Sequence, residues 1–180
     1  MSSDGSASRI LEIPPEQLTQ EQKDAIEALI GGRGRLLTPY KIWLHSPQLF
    51  RAMETLGTFL NKKGSLSERE VELGIVLIAH HWAGEYVYAA HVKTCLALGY
   101  PQAVIDAIRN NQEPDLPNPR ERCVYEIAKI AQQPGPGADA IFDRAAATLG
   151  RNGLAELLCL LGYYSAVAMA MKLHRVPVPK

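Results

Sequence analysis

Cysteine is scarce in this chain: Cys95, Cys123 and Cys159 are the three in 180 residues, and they stand far apart. The disulfide framework of a small secreted domain needs an even and denser set, so these read as reduced thiols and the expected location is cytoplasmic. Charge of one sign is also missing. Nineteen basic residues face nineteen acidic ones, neither gathered into a block, which leaves no electrostatic footprint for nucleic acid or an anionic membrane, and neither partner is expected. The longest apolar stretch, Leu157 to Met171, falls short of the roughly 20 residues a spanning helix needs and follows Glu156 directly, so it reads as a buried helix. The opening MSSDGSASRILEIPPEQ lacks the basic start and apolar core of a secretory signal, and residues 1–10 read as an unstructured tail.

Strand signals are missing as well, since nothing alternates apolar and polar between hairpin turns. What is there is helix punctuation, and the expected fold is all-α in a single domain over residues 1–180. Thr19 to Gln22 forms a capping box opening a helix to Gly31 and Gly32, with Ile26, Leu29 and Ile30 as its stripe. Arg33 to His45 reads as a structured connection. Ser46 as N-cap and Pro47 at the first position start a helix that ends near Gly64. Ser67 and Glu70 form a second capping box, and from Val71 to Ala79 the helix is apolar nearly all round, as suits a central element. Unbroken, the run from Ser67 to Gly99 would reach about 45 Å at about 1.5 Å per residue. Gly84 suggests a break, with a new helix close to Glu85 that Gly99 and Pro101 end. Further helices are expected over 101–111, 120–133, 138–149 and 154–173, with EPDLPNP and PGPG as breaks. An internal repeat at an offset of 84 residues is suggested by Glu72-Leu73 against Glu156-Leu157 and by His80-His81 against Tyr164-Ser165.

No GxSxG, P-loop or GxGxxG is present, which removes support for a serine hydrolase or a nucleotide fold. His80 and His81 diverge by about 100° on a helix and come without HExxH or CxxC, so no metal is expected. Ionisable residues inside the apolar run carry more. Glu72 shares a face with Val76 and Ala79, so its carboxylate needs a partner, and Arg69 and Arg51 are the structural candidates. His91 lies one turn from Val87 and one from Cys95. Glu72, Glu85, Tyr88 and His91 together supply an acid, a base and a hydroxyl within one helix pair. Glu85 and His91 are about 120° apart around a helix, and Glu85 has its own reading as a first-turn acid on the helix dipole.

These residues resemble the carboxymuconolactone decarboxylase family, which includes the alkylhydroperoxidase D-like proteins. The resemblance is specific in RE-x-E-L-x-I-V-L-x-A-x-x-x-x-x-E-Y-x-x-x-x-H, from Arg69 to His91, and diffuse from Leu37 to Pro179. It implies an all-helical, alkylhydroperoxidase D-like fold assembled as a homotrimer or hexamer, with sites close to subunit contacts. A homo-oligomer is also expected because the apolar segments 71–79 and 154–171 exceed what one small core would enclose.

The family's peroxidase branch carries E-x11-C-x2-C-x3-H. Here Glu72 and His91 match its ends, but Gly84 and Val87 stand where the two cysteines belong. Without a low-pKa thiolate and a resolving cysteine, thiol-based peroxide reduction has no route. The decarboxylase branch lacks the pair. The resemblance then implies a lyase acting without a cofactor on a small carboxylated unsaturated lactone, with Glu72, Glu85 and His91 catalytic. His91 would donate a proton or polarise the carbonyl, Glu72 would orient the imidazole, Glu85 and Tyr88 would contact substrate, and His81 and Trp82 would line the pocket. The alternatives are an oxidoreductase of the same superfamily and a non-catalytic helical oligomer.

Overall fold

In the computed structural model, which describes residues 7–133 and 135–178, all regular structure among the described residues is helical. After a short 3-10 turn at Pro15–Gln17 come α1 (Gln20–Arg33), α2 (Thr38–Trp43), α3 (Pro47–Lys62), α4 (Glu68–His81), α5 (Glu85–Ala97), α6 (Gln102–Arg109), α7 (Pro119–Ala131) and α8 (Asp139–Leu173). Gly150, at φ 77° and ψ 163°, breaks α8 into the two helices expected from the sequence. Both capping boxes are present. Thr19 and Gln22 exchange side-chain and backbone hydrogen bonds at the start of α1, and Ser67 and Glu70 do the same for α4.

Three sequence expectations change. The connection over residues 33–45 contains α2, a six-residue helix whose Tyr40 and Trp43 are buried. Ser46 precedes α3 without making a capping hydrogen bond. Of the tail over residues 1–10, residues 1–6 lie outside the described residues, whereas the Arg9 N–H donates to the His174 carbonyl at 2.7 Å and ties the chain's start to the end of α8.

The core is built around α4. Every residue from Glu70 to Ala79 is buried, with α3, α5, α6, α7 and α8 packed about it. One chain therefore encloses this apolar run completely, and the run by itself does not call for a second subunit. The exposed apolar side chains lie elsewhere, Phe142, Leu158, Met169 and Leu173 on α8 among them. By length and composition α8 could cross a membrane, but half of its most apolar window is buried against other helices, as suits a core element.

The turn between α4 and α5 shows why its glycine stands where it does. The Ala83 N–H donates to the His80 carbonyl and the Gly84 N–H to Ala79, a Schellman ending with Ala83 at φ 50° in the left-handed position that glycine usually takes. Glycine comes one residue later for a different reason. A Cβ on Gly84 would stand 2.7 Å from the Cβ and 3.2 Å from the Cα of Ala168, so α8 seals the start of α5 against any side chain.

Two ion pairs cross between the starts of α4 and α7. Arg69 donates to Glu121 from Nε at 2.6 Å and from Nη2 at 3.2 Å, and Arg120 donates to Glu70 from Nε and, at 3.1 Å, from Nη2. Each arginine also ties a helix end, Arg69 through the Leu98 carbonyl and Arg120 through that of Thr148. Arg69 thus serves Glu121, and Arg51 reaches the Glu21 carbonyl, so neither is the partner of Glu72. The offset-84 correspondence does not extend to local structure, because Glu156 receives the N–H and hydroxyl of Ser65 while α8 runs on past Ser165 where α4 stops.

Burial opposes the charge on Glu70, but the Arg120 and Ser67 hydrogen bonds outweigh it and hold the carboxyl below its usual range. A depressed folded-state pKa stabilises the protein above the unfolded value, and that contribution disappears as the pH falls through the folded value. Glu70→Gln is expected to lose about 1–3 kcal/mol at pH 7, since it leaves Arg120 unpaired beside a buried amide. Urea unfolding of both proteins at neutral pH and near pH 3 checks this: the gap between them should narrow in acid.

Candidate active site

Glu72 and His91 meet. The His91 imidazole donates from Nδ1 to Glu72 Oε2 at 2.7 Å, with 10% of the glutamate side chain and 23% of the histidine side chain exposed. α4 brings the carboxylate and α5 the ring, across the tight turn at residues 82–84. With Nδ1 committed to the carboxylate, the tautomer is set and Nε2 is the nitrogen available for chemistry. The Tyr164 ring meets the imidazole edge to face at 5.3 Å and 82°, fixing its plane.

The pair borders a cavity of about 350 Å3 walled by α2, α3, α4, α5 and α8, small for a ligand pocket. Tyr86, Tyr40, Tyr163 and Tyr164 give it hydroxyls and aromatic faces, and Asn61 and Lys62 lie on its α3 side. The Tyr40 and Tyr163 hydroxyls are 3.3 Å apart, and Tyr164 donates to Asn61 at 2.9 Å. Gly57 makes room for the first pair, because a Cβ there would stand 2.3 Å from the Tyr163 oxygen. The sequence pattern does not single these tyrosines out as site residues. The available signal was the polar Tyr163-Tyr164 pair inside the apolar stretch 157–171.

Four expected site residues lie elsewhere. The Glu85 carboxylate is 47% exposed and takes both guanidinium nitrogens of Arg109, at 2.9 and 3.1 Å, so it faces α6 instead of His91. Tyr88, one turn on, follows it: Arg109 lies over its ring at 4.9 Å, and its hydroxyl is buried without a hydrogen-bond partner among the described residues. Burial pushes the Tyr88 pKa up, keeping the phenol neutral. Trp82 donates its indole N–H to Ser165 at 2.9 Å, a packing contact to α8. His81 opens on a different pocket, since nine residues after Glu72 it points from the opposite side of α4.

No cysteine lines the cavity. Cys95 is fully buried, and its thiol is pushed up to about 12, first by burial and then by the Glu72 carboxylate. Cys123 is buried too, while Cys159 is exposed on α8. Among the described residues, no group of three or more His, Cys, Asp or Glu side chains is placed to hold a metal ion.

No protein-family model matches the sequence, and no curated protein matches it either. Solved structures do match in fold. An alkylhydroperoxidase AhpD core, an uncharacterised peroxidase-related protein from Ralstonia eutropha JMP134, superposes with a TM-score of 0.67 at 18% identity over 92% of this chain and 89% of that one. A protein of unknown function from Agrobacterium tumefaciens, suggested to be the antioxidant-defence protein AhpD, gives 0.67 at 16% identity over 77% and 95%. The debrominase Bmp8, as a cysteine-to-alanine variant in complex with 2,3,4-tribromopyrrole, gives 0.70 at 13% identity over 98% and 94%. This chain therefore has the alkylhydroperoxidase D-like fold.

The thiol environments set an expected labelling pattern. The folded protein should react rapidly with one equivalent of a thiol reagent such as dithionitrobenzoate, at Cys159, and release the other two only on denaturation. A second rapid equivalent would place a reactive thiol at Cys95 or Cys123 and overturn this assignment.

Proposed function

We propose that the cavity is the active site of a lyase that decarboxylates a small carboxylated unsaturated ring compound of the lactone type, without a thiol and without a cofactor. The observation that carries the reading is the Glu72–His91 hydrogen bond at the wall of a ring-sized cavity that no cysteine reaches. His91 is the catalytic residue. Glu72 acts through it, as a positioning residue.

The chemistry asks little of the protein. As the carbon–carboxylate bond breaks, carbon dioxide leaves and the electron pair spreads into the ring carbonyl as a dienolate. In its imidazolium form His91 passes the Nε2 proton to carbon, returning to the neutral ring that keeps its Nδ1–H on Glu72, and takes up another proton from solvent. The tyrosines lining the cavity suit a developing enolate oxygen, and Lys62 on its α3 side suits the substrate carboxylate before it leaves as carbon dioxide. Glu85, Tyr88, His81 and Trp82 have no part in this scheme. A homotrimer or hexamer fits the apolar side chains exposed on α8 and belongs to the same proposal.

The peroxidase-related and debrominase neighbours favour a second reading, an oxidoreductase of the same fold. That reading needs a thiol or another electron donor at the cavity. Cys95 is buried and disfavoured as a thiolate, and the position at Gly84 has no room for a side chain.

One preparation should be assayed against carboxylated unsaturated lactones and against organic hydroperoxides. Turnover of a lactone is expected to fall about 100-fold or more in His91→Ala, the usual worth of a positioned general acid. It should survive replacement of all three cysteines by Ala or Ser, apart from stability losses of about 1 kcal/mol or more per buried site. Hydroperoxide turnover that the cysteine replacements abolish and His91→Ala spares would overturn the lyase reading.

A further inference from the structure

A second pocket, of about 290 Å3, lies between α4, α6 and α7 on the side of α4 turned away from Glu72. His80 and His81 at the end of α4, Asn111 just beyond α6, and Tyr125, Lys129 and Gln132 from α7 and its C-cap give it its chemistry. Two features separate it from an ordinary surface hollow. Its lining includes no carboxylate, and Lys129, partly buried, makes no ion pair among the described residues. The Gln132 Nε2 is buried with no hydrogen-bond partner among those residues. An orphaned amide donor is costly unless something accepts from it, and the Lys129 charge meets no carboxylate in the pocket wall.

The remaining groups are donors as well. His80 Nε2 and Asn111 Oδ1 are 3.1 Å apart. With the ring N–H donating, the Asn111 NH2 remains as a further donor. Burial, and then the charge of Glu113, push the Tyr125 pKa up, so its hydroxyl stays protonated. Glu113 is itself engaged by Arg122 at 2.7 Å. Burial lowers the His81 pKa, with Lys129 and His80 adding to the effect, so His81 offers a neutral imidazole at neutral pH.

We propose that this pocket binds a small oxyanion, a phosphate or carboxylate group, held by Lys129 and Gln132 with His80, His81, Asn111 and Tyr125 around it. Such a group neutralises the Lys129 ammonium, meets no carboxylate in the wall, and gives the Gln132 amide an acceptor once that side chain turns toward it. The site is separate from the Glu72–His91 cavity and does not depend on what that cavity catalyses.

Isothermal titration at low ionic strength, with inorganic phosphate and succinate as probes, tests it. Saturable binding of one anion per chain is expected for at least one probe, and which one binds tells a phosphate site from a carboxylate site. Lys129→Met and Gln132→Leu should each weaken binding about tenfold or more, as loss of a charge-assisted hydrogen bond predicts, while His91→Ala leaves it unchanged. The His81 ring resonances should shift with the probe in the native protein, a reading that holds even if a variant folds poorly. No saturable binding at millimolar probe, or binding that both variants retain, would overturn the proposal.

Discussion

The crossed ion pairs between Arg69 and Glu121 and between Arg120 and Glu70 fix where α4 begins relative to α7, and much of the molecule is placed with reference to α4. Both carboxylates are buried, so neither tolerates losing its partner, whereas the arginines stay partly in solvent. Being bidentate, the pairs set orientation as well as distance. Glu72 is the second residue after Glu70. A shift at the clamp would move it against His91 directly.

α4 is a partition as much as a core element. Its apolar residues are enclosed on every side, while polar groups leave it in two opposite directions, Glu72 toward the tyrosine-rich cavity and His81 toward the pocket that holds Lys129. The angular step of the helix alone separates these two polar sets. A single buried helix can therefore serve two chemically different openings without either compromising its packing.

The contact between Gly84 and Ala168 constrains the α4–α5 turn as firmly as any polar group. It closes the place where a side chain would enter at the start of α5, so no side chain from residue 84 stands beside the Glu72–His91 pair. Cys95, one turn beyond His91, packs inward as an apolar residue, and the carboxylate that orients the imidazole also disfavours its thiolate.

Local patterning determined the elements apart from α2. Capping boxes at Thr19 and Ser67, the break before Glu85 and the interruption near Gly150 all follow from interactions within a few residues, and the structure has each of them. The need of Glu72 for a partner was also legible, because a carboxylate on an apolar face is costly wherever the chain folds. Which partner it takes was decided by tertiary structure: Arg69 is drawn to Glu121, fifty-two residues away, and Glu85 to Arg109, twenty-four away, leaving His91 for Glu72. The cavity tyrosines come from α2, α5 and α8, and no short-range pattern ties Tyr40 to Tyr163. Periodicity reports which face of a helix is buried; only the packing of helices distant in sequence decides what that face meets.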